Sequence, residues 1–138
     1  MAVLDYEEIC GRAVHFAETY GKVFDYSADS VAALDELLQI YYDCGQEGRY
    51  NDEQLWNVSI TLGVYLGECM LRTVIGSNGY AWFFDGKNAP YLRMDGKTAM
   101  YPVTKVYKRV TNGPEDNVKS FYDIGIKIAD GSFNLSAQ

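Results

Sequence analysis

The sequence predicts an α+β domain: three N-terminal helices, a three-stranded antiparallel meander, then two C-terminal helices. Apolar residues recur at helical spacing through the first 75 residues and again after Pro102. Between Gly79 and Pro102 the pattern turns aromatic and alternating, broken by two Asp-Gly turns. No strand–helix–strand alternation occurs, so helices and strands are expected to segregate. At 138 residues and 48% apolar content, the chain has the size and composition of one domain, residues 1–138, able to build a core without a metal or disulfide.

The elements follow in order. Ile9, Ala13, Phe16, Ala17 and Tyr20 form one stripe of a helix over 5–20, with Glu8, Arg12, His15 and Thr19 on another, and Gly21 as its stop. A second helix runs over 27–48, capped by Ser27 or Ser30, with Val31, Leu34, Leu38, Tyr41 and Tyr42 as its apolar face. Asn51 with Gln54 reads as a capping box opening a third helix that is apolar on most sides to Ile75, hence central. Ser59, Gly63 and Gly67 fall on one strip of it. A mid-helix glycine costs about 1 kcal/mol against alanine, so the strip predicts close approach of another backbone.

Strands are expected at 80–84, 91–94 and 97–101, joined by turns at Asp85-Gly86 and Asp95-Gly96. The repeat of Asp-Gly-Lys at 85–87 and 95–97 matches one strand plus one turn. Pro102 then starts a helix closed by Asn112-Gly113, and Pro114-Glu-Asp116 opens the last one. The alternation over 124–128 fits either helix or strand. Residues from Gly131 onward read as a frayed tail, residues 131–138.

Composition narrows the function. Residues 1–75 hold four Lys/Arg against thirteen Asp/Glu, and residues 76–138 hold eight against six. A net charge of −7 repels phosphate backbones, so nucleic acid is not expected as a partner. The acidic half either docks on the mildly basic half or presents a face to a basic partner protein. No apolar run approaches the ~20 residues of a membrane helix, and the N-terminus lacks a secretory pattern, so cytoplasm is expected. Cys10, Cys44 and Cys69 are odd in number and share no CxxC spacing, which argues against disulfides and zinc. They read as small buried hydrophobes. Neither a metal nor an organic cofactor is expected. The Asp85 and Asp95 loops carry turn chemistry, not a calcium loop. His15, the one histidine, lies on a polar stripe and reads as a surface residue.

Leu62-Gly63-Val-Tyr-Leu66-Gly67-Glu68, Trp82, Tyr101-Pro102 and Val106-Tyr-Lys108-Arg109-Val110 with Gly113 form an ordered series. It resembles a family of small bacterial proteins known as a domain of unknown function, with an LGxxLGE helix, a Trp-bearing meander and a Pro-started helix carrying Lys-Arg. The resemblance spans residues 55–123 and implies a bacterial, cytosolic α+β protein without an assigned reaction.

Two groups of residues are candidates for binding. Glu68, inside the apolar third helix, either pairs with Arg72 one turn on or aims its carboxylate at the meander. The meander alternates: Tyr80, Trp82 and Phe84 on one face against Ala81 and Phe83, and Leu92 and Met94 against Tyr91 and Arg93. Its second face is either covered by helices or bare. Tyr, Trp and Arg are the types enriched at binding hot spots. The leading expectation is a non-enzymatic interaction module of the immunity-protein kind, contacting a basic partner through the acidic half with Tyr91, Arg93 and Tyr101. Self-association through the meander edge is a second possibility. The alternative is a small-molecule binder or weak enzyme, with a pocket between helix 51–75 and the meander lined by Tyr65, Glu68, Trp82 and Arg93, and Tyr80 is a further candidate for the binding surface or pocket.

Overall fold

The computed structural model describes residues 4–132. The expected tail lies outside the described residues from 133 onward. Six helices and one two-stranded sheet build the domain: α1 (Tyr6–Glu18), α2 (Ala28–Gln46), α3 (Asp52–Leu71), α4 (Val74–Ser77), β1 (Ala81–Phe83), β2 (Tyr91–Arg93), α5 (Pro102–Asn112) and α6 (Val118–Asp130).

Local chemistry explains most boundaries. The Asp5, Ser27 and Asn51 side chains accept the backbone N–H of Glu8, Ser30 and Gln54, and Gln54 returns the bond to Asn51. Pro102 occupies the first turn of α5, where its missing N–H costs nothing. Gly113 ends α5 at φ +101°, a value that side chains disfavour. Residues 124–128 are helical, not extended, and Gly125 lets α6 close on Met70, Ile75 and Met100.

α3 is the spine. Leu62, Val64, Tyr65, Leu66, Cys69 and Met70 are buried, and α5, α1, α2 and α6 all pack on it. A Cβ on Gly63 would stand 2.5 Å from the Val103 Cα, so α5 rests directly on the α3 backbone. A Cβ on Gly67 would fall inside the Trp82 ring and 3.2 Å from Pro102 Cγ. The glycine strip is thus occupied along its length by α5 and β1.

The three-stranded meander is not formed. β1 and β2 pair antiparallel, with Ala81 opposite Arg93, Trp82 opposite Leu92 and Phe83 opposite Tyr91. Residues 97–101 contribute a single bridge, in which Leu92 and Met100 exchange two backbone hydrogen bonds of 2.8 and 2.9 Å. Only five residues separate Gly96 from Pro102. The turn runs through residue 97, Met100 is drawn into the core and Tyr101 already serves as the N-cap of α5, so pairing stops at the single Leu92–Met100 bridge. Two further boundaries differ from expectation. The third helix breaks at Arg72, and Thr73 caps the short α4. Pro114–Asp116 is a 3-10 turn, after which Asn117 caps α6.

One buried ion pair ties α2, α5 and α6. Arg109, 2% exposed, donates to Asp35 through Nε (2.9 Å) and Nη2 (3.3 Å), and to Gln39 Oε1 (2.6 Å). Asp35 also accepts from Asn117 Nδ2 (2.9 Å) and the Val118 N–H (3.1 Å), so it fixes the start of α6. Among the described residues no helix is long and apolar enough to cross a membrane.

Candidate functional site

The seven candidate residues separate into an inner joint and an outer face. Register and pleat decide the division: Tyr80, Trp82 and Leu92 turn inward, and Ala81, Phe83, Tyr91 and Arg93 turn outward.

Inside, Trp82 lies in the notch of Gly67 and donates from Nε1 to Glu68 Oε2 at 2.7 Å. Tyr6 of α1 stacks on the indole at 4.8 Å with the planes 6° apart. Glu68 therefore aims at the hairpin, and the expected pairing with Arg72 is replaced. The Arg72 guanidinium instead lies 3.5 Å from the centre of the Tyr26 ring. Tyr65 is fully buried on another side of α3. Its hydroxyl accepts the Tyr26 N–H (2.9 Å) and meets Ser30 Oγ (2.8 Å), while its ring stacks on Phe24 at 4.4 Å. Desolvation raises its phenol pKa. These contacts hold Tyr26 at φ +68°, the one described non-glycine residue with left-handed backbone. The Tyr80 hydroxyl donates to the Thr98 carbonyl at 2.8 Å and pins the returning chain.

Tyr65, Glu68, Tyr80, Trp82 and Arg93 thus do not surround one cavity. The indole fills the space between α3 and the hairpin, and Arg93 is on the opposite face. The LGxxLGE segment, Trp82 and Pro102 meet at this single joint, and Arg109 makes the buried ion pair, so these motif residues serve packing, whereas Tyr101 of the same series is exposed.

Outside, the hairpin face is bare. The Arg93 guanidinium lies 4.8 Å from the centre of the Phe83 ring. Phe83 leans on Tyr91 (5.4 Å), and Tyr91 stacks on Tyr101 (5.0 Å, 27° between planes). Phe83 is 38% exposed and Tyr101 50%. Beside Tyr91 and Tyr101 opens a cleft of about 420 Å3 that Trp56 and Lys87 also line. Trp56 belongs to α3, one turn after Asp52 and Glu53. It meets Tyr107 edge-on at 5.3 Å, and the Tyr107 hydroxyl bonds Asp52. The acidic half and the aromatic face therefore join at Trp56. On the other flank of Tyr101, Ile124 is 44% exposed and Lys105 is neutralised by Asp116 at 2.9 Å.

Phe83 and Trp56 were not singled out by sequence reasoning. The alternation set Phe83 with Ala81 on the face opposite Trp82 without saying which face is outer, and that was the available signal. Trp56 carried none, since its placement beside Tyr101 depends on how α5 crosses α3.

The outer face offers exposed apolar area and aromatic rings. Burial pushes the Cys10 thiol up to about 12 and the Cys69 thiol to about 11, so both are protonated and unreactive at neutral pH. The described residues include no group of three or more His, Cys, Asp or Glu side chains placed to hold a metal ion. Asp85 accepts from the Lys87 and Asn88 backbone at 2.8 and 3.0 Å, which closes its turn and lowers its pKa. No family model, curated protein or solved structure matches the chain.

Proposed function

We propose that this protein is a non-catalytic interaction module that binds a basic protein partner through the outer face of its hairpin. The observation that supports this best is the contiguous run of Arg93, Phe83, Tyr91 and Tyr101, with Arg93, Phe83 and Tyr101 exposed, Tyr91 half-buried and each side chain already against the next. Interface cores favour Tyr, Phe, Trp and Arg. Rings that already lean on one another lose little rotamer freedom on docking.

Charge supports a basic partner. All four cations of residues 1–75 are engaged within the fold: Arg12 with Glu8, Lys22 with Glu36, Arg49 with Glu47, and Arg72 on Tyr26. Glu7, Glu18 and Glu53 make no ion pair among the described residues. α3 carries Asp52 and Glu53 to the Trp56 end of the aromatic face. Neutralising a basic protein, as an immunity protein does for a toxin, is a role that fits this chemistry. On this reading the role belongs in a bacterial cytoplasm, as the resemblance implies.

The test is capture of a partner from extracts of the source cells, followed by reconstitution from purified components in a calorimeter. The expected partner carries net positive charge, and its affinity falls as salt rises. Tyr101→Ala and Phe83→Ala should each weaken binding by about 1–2 kcal/mol while the unfolding midpoint stays put. No partner at any salt concentration, or one indifferent to both substitutions, refutes the proposal.

A further inference from the structure

A groove of about 820 Å3 runs between α1 and α3. Phe16, Tyr41, Val58 and Leu62 form its floor. Glu8, Arg12, His15 and Thr19 border it on α1, and Asn57 and Thr61 border it on α3. The α1 residues span eleven steps of helical rise, about 16 Å, or three turns of a helix laid alongside. The polar stripe that sequence periodicity assigns to open water is therefore the lip of a groove.

Gly11 distinguishes this groove from a chance depression. A mid-helix glycine destabilises a helix relative to alanine. At Gly63 and Gly67 the cost is offset by Val103 and Trp82 resting on the backbone. At Gly11, which lines the groove, nothing lies within 4 Å of where a Cβ would stand. The close approach that offsets the other two glycines has no counterpart here within the described chain.

We infer that this groove seats one amphipathic helix of a basic partner, its apolar face on Phe16, Val58 and Leu62 and its backbone over Gly11. Charge sets the partner's chemistry. Outside the lining itself, on its margins, Glu7 and Glu18 stand four residues before and seven after Gly11 on the same strip of α1, and Glu53 stands four before Asn57 on α3. Arg12 is engaged with Glu8 at 3.5 Å. Lysines flanking an apolar stripe would meet carboxylates on both sides. The walls are helices with no open sheet edge, which selects a helix over an added strand. The inference rests on the reading of the protein as a module for a basic partner, and names the part of that partner which binds.

The probe is a labelled amphipathic peptide of roughly 14 residues, long enough to form a helix, with leucines at helical spacing and lysines elsewhere. A second peptide carries glutamates for the lysines. Anisotropy titration should show saturable binding of the lysine peptide alone, weakening with salt, with helicity gained on binding. Gly11→Leu fills open space in a helix, so it should raise the unfolding midpoint while weakening the peptide at least ~10-fold. Glu7→Gln with Glu18→Gln should weaken it ~2–5-fold, and Tyr101→Ala should leave it unchanged. Equal binding of the glutamate peptide, no saturable binding, or indifference to Gly11→Leu overturns the inference. If a captured partner depends on Tyr101 but ignores Gly11→Leu, the groove falls and the module reading stands. If the peptide binds in a Gly11-dependent way while no partner is captured, the groove stands and the hairpin-face reading falls.

Discussion

Alanine at Gly63, Gly67 and Gly11 probes the architecture most sharply, because one chemical change should have opposite signs at different sites. Each substitution gains about 1 kcal/mol of helix propensity. At Gly11 that gain stands alone, since the new methyl meets open space. At Gly63 the methyl would stand 2.5 Å from the Val103 Cα and 3.0 Å from its N. Carbon atoms prefer about 3.5–4.0 Å, so α5 must retreat from α3 by about 1 Å. Backbone cannot swing aside, and overpacking of this kind costs about 1–3 kcal/mol or more. Gly63→Ala should therefore fall about 2 kcal/mol or more below Gly11→Ala in stability. At Gly67 the obstacle is the end of an indole ring, which can move. Its displacement gives up the hydrogen bond to Glu68 (about 1.5–3 kcal/mol) and the Tyr6 stack (about 0.5–1.5 kcal/mol). Urea unfolding with unchanged m-values measures all three. In a Trp82→Ala background most of the Gly67→Ala loss should disappear, leaving only the 3.2 Å approach to Pro102 Cγ, whereas the Gly63→Ala loss should persist. If Gly63→Ala stabilises the protein as Gly11→Ala does, α5 does not rest on the α3 backbone and the architecture is wrong.

Arg109→Met keeps the apolar stem but leaves the Asp35 carboxylate without its cation, and should cost about 3–5 kcal/mol, with only part of the loss recovered by adding Asp35→Leu, because Asn117 and the Val118 N–H then lose their acceptor; urea midpoints of the single and double variants check this, and a single variant near wild-type stability contradicts it. Stability should also decline at high pH. Cys10 and Cys69 titrate near pH 9.0 when exposed but near about 12 and 11 in the fold. Their neutral forms contribute fully below pH 9.0, and the contribution is lost as pH rises through the folded values, at up to about 1.4 kcal/mol per pH unit and group. Cys69→Ala should flatten the alkaline arm of a midpoint-against-pH curve, and an unchanged slope would show that the thiol is not buried as described.

Helix termini were legible because their signals are local. Ser27 or Ser30, Asn51 with Gln54, and Pro102 act within one turn of themselves, and Ser27 and Asn51 cap where they were read. The α3 glycines were legible for a related reason: a residue that weakens its own helix points to a neighbour that repays the loss. Strand alternation likewise set Phe83 apart from Tyr80 and Trp82, and Tyr91 and Arg93 apart from Leu92, because the period of two is a property of the backbone; the register then joined Phe83 to Tyr91 and Arg93.

What the linear pattern left open depends on distances between segments. A ladder at 97–101 fails because Met100 turns into the core and Tyr101 is taken up as the N-cap of α5, leaving one bridge to Leu92. The partner of Glu68 is an indole fourteen residues away, not the arginine one turn on, since Gly67 admits the ring beside it. Asp35 reaches Arg109 across seventy-four positions. The groove along His15 and Gly11 exists only once α1, α3 and Tyr41 of α2 are brought together. Capping and periodicity act over a few residues of chain, whereas side-chain pairing and shape complementarity arise only once the helices have packed.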